Sequence, residues 1–260
     1  MAAFGKKKKA SEFPDVIPVS EAIRKGDIFT KLTCLIMGAG NLARKQIIQG
    51  LLFLTGELAY ILYMVFYGAK ALQNFVTLGT ETQKKVFNEA TQVYEYATGD
   101  NSQLCLLYGV VTFFVTIGFI LLWRAAIRSS YIAQKAQEAG KKPITFGQIL
   151  KDLKDNRMYQ LFLLFPFLGI ILFTVMPLVF MILMAFTNYD RDHLPPGKLF
   201  DWVGFQNFAR VLNAGGALGE TFWRVLGWTI IWAIFATFLN YIFAVSYTHL
   251  RAHETLMNLV

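Results

Sequence analysis

Residues 158–189 read MYQLFLLFPFLGIILFTVMPLVFMILMAFTNY, 32 consecutive positions without one Asp, Glu, Lys or Arg. A helix crosses the roughly 30 Å hydrocarbon layer with about 20 apolar residues, so this stretch is long enough to span with tilt or a bend. The cost of charge at mid-bilayer accounts for its composition. Pro177 and, less centrally, Pro166 would break a helix in water, whereas in a membrane bundle neighbouring groups re-satisfy the carbonyls they strand. The stretch predicts a kinked spanning helix, and with it an all-α integral membrane protein.

The rest of the chain agrees. It is 55% hydrophobic, 15% aromatic and only 16% charged, whereas soluble domains carry about a quarter charged residues. Three further apolar stretches predict spans over residues 47–69, 104–123 and 225–245, giving four transmembrane helices. The net charge of +8 does not point to nucleic acid, because the basic residues cluster beside the hydrophobic segments, where they set orientation and meet anionic lipid. Lys and Arg number nine in residues 1–46, three in 70–103, eight in 124–157 and four in 190–224. Rich segments alternate with poor ones, which places the amino terminus in the cytoplasm and both lean loops outside.

In chain order, residues 1–26 read as a solvated tail with the Lys6–Lys9 run, which lacks the apolar core and cleavage site of a signal peptide. Ile28, Leu32, Leu35, Ile36, Ala39 and Leu42 recur at helical spacing, with Lys31, Asn41 and Arg44 off that stripe. The pattern predicts a basic amphipathic helix in the interface plane or, alternatively, a helix that docks a partner protein. Glu57 falls near the middle of the first span, where an acid is either hydrogen-bonded and structural or functional. Residues 73–100 are expected to form an external loop with a short helix through Glu81, Lys84, Lys85, Glu89 and Glu95. Residues 130–139 predict a helix ended by Gly140. A second helix, capped by Thr145, would put Ile144, Phe146, Ile149, Leu150 and Leu153 on an apolar side that rests on the membrane or meets a cytoplasmic partner.

Chemistry is sparse. No G-x-x-x-x-G-K-[ST] nucleotide loop occurs, no Ser, His and Asp form an arguable triad, and Cys34 and Cys105 make neither a disulfide framework nor a metal spacing. His249 and His253 share a helix face without a third ligand. An enzyme is not expected, and no catalytic residue, metal or cofactor is assigned.

Three segments carry a resemblance: residues 177–190 (PLVFMILMAFTNYD), 202–212 (WVGFQNFARVL) and 222–240 (FWRVLGWTIIWAIFATFLN). A proline-bearing span ending in S/A-F-T-x-Y is matched at Ala185, Phe186, Thr187 and Tyr189. An external G-x-x-N-[FY] element is matched at Gly204, Asn207 and Phe208. The opening F-W-x-x-x-x-x-T of the next span is matched at Phe222, Trp223 and Thr229. Together they resemble the start of the core domain of binding-protein-dependent sugar permeases. The two extra spans and residues 36–54 (IMGAGNLARKQIIQGLLFL) resemble in particular the MalF-type maltose or maltodextrin permeases of Gram-positive bacteria.

The resemblance implies a multi-pass permease subunit in the plasma membrane. A second permease subunit would complete the pathway, two cytosolic ATPase subunits would bind ATP, and an extracellular sugar-binding protein would deliver substrate. Tyr189, Asp190, Trp202, Phe205 and Asn207 are expected to line the external face shown to that binding protein, or else to be ordinary loop packing. The large external domain that some relatives carry between the third and fourth spans is replaced here by about 35 residues. The family also continues through further spans and an ATPase-docking loop, so the chain reads as the amino-terminal part of a permease and is not expected to transport alone. Residues 246–260 depart from the pattern and resemble a translated sequencing-adaptor tail, in which case His249 and His253 carry no role.

The expected divisions are therefore 1–46, tail and interfacial helix; 47–124, two extra spans; 125–157, basic cytoplasmic segment; 158–245, first two core spans with the 190–224 loop; and 246–260, tail. A non-transporting four-span scaffold or assembly subunit, or a permease for another solute, is the competing reading.

Overall fold

The computed structural model describes residues 17–89, 92–213 and 215–257, with side chains up to Arg251. The Lys6–Lys9 run lies outside them. Helices α1 (Val19–Lys25), α2 (Ile28–Leu32) and α3 (Ala39–Ala43) precede the long helix α4 (Ile47–Thr77). Strands β1 (Lys85–Asn88) and β2 (Val93–Tyr96) follow, then α5 (Ser102–Glu138), α6 (Phe146–Asp155), α7 (Met158–Met184), α8 (Gln206–Leu212) and α9 (Ala217–Met257). Among the described residues, α4, α5, α7 and α9 are long and apolar enough to cross a membrane.

The molecule divides into two units. One holds the chain up to Met184 with Tyr189–Asp201; the other holds Ala185–Asn188 with Trp202 onward. In the first, α4 and α5 are joined through polar side chains. Tyr63 Oη lies 2.8 Å from Thr112 Oγ1 and Tyr60 Oη 3.2 Å from Thr116 Oγ1. The Tyr60 and Phe119 rings stack with centroids 3.9 Å apart. Lipid tails are as apolar as Leu, so small and hydroxylated residues serve as the adhesive between spans. The outward faces keep their Ile, Leu and Phe exposed, as a lipid-facing surface requires.

Both long helices carrying an internal irregularity accommodate it by one wide turn. In α7 the turn over Ile171–Val175 is a π-helix, in which the Met176 N–H donates to Ile171 O, immediately before Pro177. Proline cannot donate to the carbonyl four residues back, and an inserted residue is a common way for a helix to absorb that loss. A second π turn, Met64–Gly68, sits in α4 and carries that helix on to Thr77, beyond the expected end near residue 69.

Several sequence expectations are corrected. Residues 28–43 are not one amphipathic helix but α2 and α3 joined by a tight turn. Gly38 adopts φ +86°, and a Cβ there would strike the Gly50 carbonyl of α4; only glycine suits both demands. Among the described residues, the loop between the first two spans contains no helix at its acidic and basic residues. Lys85 pairs with Tyr96, Val86 with Glu95 and Phe87 with Tyr94 in an antiparallel hairpin, as β-branched and aromatic residues favour. The helix expected over residues 130–139 is the continuation of α5, which ends at Glu138 beside Gly140 at φ +69°. The helix that carries the fourth apolar stretch begins at Ala217, ahead of residue 225, and runs unbroken to Met257. Thr145 and Gln148 form a reciprocal capping box on α6.

Each end of the first unit is tied together by hydrogen bonds between its connecting segments. Gln46 and Gln49 both donate to Ile144 O, which ties the residues before α4 to those after α5. At the other end, the Gln83 N–H donates to Pro196 O and the Phe200 N–H to Ser102 Oγ, so the two basic-poor loops meet.

Candidate functional site

The second unit opens with the element on which the sequence motifs converge. Thr187 and Trp202 form an antiparallel bridge, and the N–H groups of Val203 and Gly204 both donate to Phe186 O, at 2.8 and 3.1 Å. Gly204 turns the chain at φ +61°, a left-handed conformation that disfavours side chains. That turn brings α8 back so that Asn207 Nδ2 donates to both Ala185 O (2.9 Å) and Thr187 O (2.7 Å). One amide thus satisfies two carbonyls just beyond the last turn of α7, where helix ends leave acceptors without intrahelical donors. The Phe186 ring packs against Phe205 and Phe208 with centroids 5.3 and 5.0 Å away. The A-F-T-x-Y and G-x-x-N-F motifs are two halves of one staple.

The five residues expected on the external face separate by role and by unit. Asn207 is spent on backbone carbonyls, and Trp202 is half-buried in the bridge. Phe205 remains 75% exposed beside them. Tyr189 and Asp190 belong to the first unit, where Tyr189 packs edge-on against the buried Phe200 ring at 5.5 Å. Asp190 accepts from the N–H groups of Asp192 and His193 and contacts His193 Nδ1 at 2.7 Å. The bond from the His193 ring foremost, with those two backbone donors, holds the Asp190 carboxyl below its usual range against the desolvation that opposes it.

Glu57 has a partner that sequence reasoning did not find. Its Oε2 accepts from the Met37 N–H at 2.8 Å, in the turn between α2 and α3. Tyr60, the expected local partner, instead bonds Thr116.

A second feature was not assigned from the sequence. Arg44, 4% exposed, lies at the centre of a polar cluster on the basic end of the first unit. Its guanidinium reaches Asp27 Oδ1 at 2.6 Å, Thr30 Oγ1 and Ser130 Oγ at 3.0 Å, and Gly40 O at 2.9 Å. The Thr30 hydroxyl and the Asp27 N–H both donate to Gln134 Oε1. Desolvation pushes the Asp27 carboxyl up, but Thr30 and Arg44 outweigh it and leave the group below its ordinary value. The nearby Asn41 Nδ2 bonds Gln46 and Ser129. The cluster locks α2, α3 and α5 together. A signal was present in the sequence: Arg44 and Asn41 lie off the apolar stripe together, on what proves to be the inward side.

The chain is 31% identical over 215 residues to the maltodextrin transport system permease protein MdxF of Bacillus subtilis, and 28% identical over the same length to the maltodextrin transport system permease protein MalC of Streptococcus pneumoniae. It is 30% identical over 222 residues to the galactooligosaccharides transport system permease protein GanP of Bacillus subtilis. Each match covers 80–82% of this chain and 46% of the relative, so the chain spans about half the length of the curated relatives it matches. No family model and no solved structure matches it. Four apolar helices and these relatives make the chain a multi-pass protein of the plasma membrane, homologous to permease proteins of sugar transport systems.

Proposed function

We propose that the chain is part of a permease subunit of a binding-protein-dependent ABC importer, with maltodextrin-type oligosaccharides as substrate. The observation that carries the reading is similarity over more than four-fifths of the chain to permeases whose names specify oligosaccharides. The chain is a passage and not an enzyme: its spans contribute one side of a translocation pathway, with a second permease subunit contributing the other. Two cytosolic ATPase subunits supply the driving force, so no nucleotide or other cofactor is held by this chain. An extracellular sugar-binding protein delivers the substrate.

In this reading the staple after α7 is a rigid mount. Asn207 and Trp202 fix the loop, and the exposed Phe205 is the contact offered to the binding protein. Tyr189 and Asp190 form a separate exposed patch on the first unit with the same role. Glu57 is structural. The division at residue 245, with 246–260 as a foreign tail, stays part of the proposal.

The test is uptake in a host strain deleted for the gene. Loss of labelled maltotriose uptake, with galactose-based oligosaccharide uptake intact, supports the proposal. The reverse pattern assigns galactooligosaccharides, for which the similarity to GanP is the supporting observation. Unchanged uptake of both sugars refutes the permease reading and favours a membrane scaffold.

A further inference from the structure

The segment from α2 to α3 is built inside out relative to a soluble amphipathic hairpin. Ile28 is 82% and Leu35 76% exposed, and Phe29, Leu32 and Ile36 are exposed beside them. Thr30, Thr33, Asn41 and Arg44 are buried on the opposite side. In water such an arrangement forfeits the burial of five large apolar side chains. It fits a segment whose outer surface meets hydrocarbon and whose inner surface meets a polar seam.

The backbone has the property that hydrocarbon demands. The Thr33 and Cys34 N–H groups donate to Phe29 O and Lys31 O, and those of Leu35 and Ile36 both donate to Leu32 O. Met37 donates to Glu57 Oε2, Ala39 to Ile36 O and Gly40 to Thr33 Oγ1. Trp123 Nε1 donates to Cys34 O. A turn left in water would not require an acceptor from one spanning helix, Glu57, and a donor from another, Trp123; a turn in lipid does.

Glu57 sets the depth. It lies ten residues after Ile47, about 15 Å along the helix at 1.5 Å per residue. A Glu side chain leans toward the helix amino terminus, so the Met37 N–H that meets it is held on the order of 10 Å below the start of α4, well inside a hydrocarbon layer of roughly 30 Å. Leu35 and Ile36 are exposed, as are Ile47, Ile48, Leu51 and Leu52 on α4. Lys31, within α2, and Lys45, two residues past Ala43, are both exposed, one on each side of the tip at Met37.

The geometry points to a re-entrant hairpin: residues 28–43 dip into the cytoplasmic leaflet and return, with lipid acyl chains covering Ile28, Leu32, Leu35 and Ile36. This goes beyond a helix lying in the interface plane, because the tip is inserted and is held there by Glu57. It rests on the membrane location and orientation of the chain, and not on what the chain transports.

The test uses the full chain with Cys34→Ala and Cys105→Ala, reconstituted in phosphatidylcholine–phosphatidylglycerol vesicles, with single cysteines introduced by Leu35→Cys, Ile36→Cys or Lys45→Cys. Cytoplasmic-face labelling with a membrane-impermeant maleimide is expected at position 45 and lost at 35 and 36. A bimane probe at 35 or 36 is expected to be quenched by lipids brominated on their acyl chains. Adding Glu57→Ala restores maleimide labelling at 35, while Glu57→Gln, which keeps an acceptor, does not. Free labelling at 35 and 36 without bromolipid quenching overturns the inference. Protection that appears only when partner ATPase subunits are present also overturns it, in favour of a protein-covered surface. Because no arm measures sugar uptake, failure here is distinguishable from failure of the permease reading.

Discussion

The Arg44 guanidinium meets Asp27 Oδ1 at 2.6 Å, with the arginine side chain 3% and the aspartate side chain 40% exposed. The pair is asymmetric: the cation is committed to the interior, while the anion keeps access to water. Removing the anion should therefore cost more than an exposed pair would. Asp27→Ala leaves a buried guanidinium with neutral acceptors only. Loss of one partner of a fully buried pair costs about 3–5 kcal/mol, and the solvent access of Asp27 brings the expectation down to about 2–3 kcal/mol. Thermal unfolding in detergent should show a clear fall in Tm for Asp27→Ala and none for Lys25→Ala, whose exposed pair with Glu21 serves as control. Equal behaviour of the two variants would remove the lock from the account.

The staple makes a local prediction. Asn207→Ala strands the carbonyls of Ala185 and Thr187, one or both of which would have to find water. Loss of hydrogen bonds to partly buried acceptors costs about 1–3 kcal/mol. Gly204→Ala, at φ +61°, should cost about 1–2 kcal/mol through a different route, the left-handed backbone itself. Hydrogen exchange at Val203 and Gly204, whose N–H groups donate to Phe186 O, should accelerate in both variants while the spans keep their protection. Unchanged exchange in Asn207→Ala would show that the bridge at Thr187 and Trp202 suffices alone.

The loop between the first two spans should loosen in acid. Asp100 Oδ2 accepts from the N–H groups of Thr80 (2.8 Å) and Glu81 (3.1 Å), and these bonds, led by Thr80, lower its carboxyl below the ordinary value. A carboxyl with a depressed folded-state pKa contributes stability that is present above its unfolded value, near 4, and is lost as pH falls through the lower folded value. Proteolysis within residues 79–100 should thus stay slow at neutral pH and rise only below the usual carboxylate range. Asp100→Asn should flatten that acid response. A rise centred well above pH 5 would implicate another group.

What could be read before the fold was seen divides along physical lines. Hydropathy over 158–189 and the Lys and Arg count speak directly to lipid, and the four long helices follow from them. Facing is another matter. The stripe Ile28, Leu32, Leu35 and Ile36 has the same period whether it points at a core or at hydrocarbon, and only the contacts of Thr33, Met37 and Arg44 resolve it. Gly38 and Gly40 were the available warning that one helix would not run through. In the external loop, charge spacing suggested a helix, yet Val86, Phe87, Val93, Tyr94 and Tyr96 prefer a pleated surface and prevail. Asn207 was visible as a motif residue, but its partners are backbone carbonyls and leave no trace in side-chain identity.

Pro177 supplies the last prediction, on the stretch that decides the fold class. The π turn over Ile171–Val175 inserts one residue ahead of it, and one residue amounts to about 100° of helical rotation. Beyond that turn, Val179 and Leu183 face a groove of about 250 Å³ lined by Leu72, Phe75, Gly109, Val110 and Phe113 from α4 and α5. With Pro177→Ala the missing N–H returns, the regular four-residue bond to Phe173 O becomes available, and the reason for the wide turn disappears. If α7 then closes into a continuous α-helix, Val179 rotates away from α4 and α5. A bifunctional crosslink between Val179→Cys and Leu72→Cys, in the Cys34→Ala, Cys105→Ala background, should form efficiently with Pro177 present and be lost with Pro177→Ala. The helix itself should persist, since alanine is the better helix former by about 3 kcal/mol. A crosslink that survives the substitution would mean that the groove, and not the proline, holds the turn open.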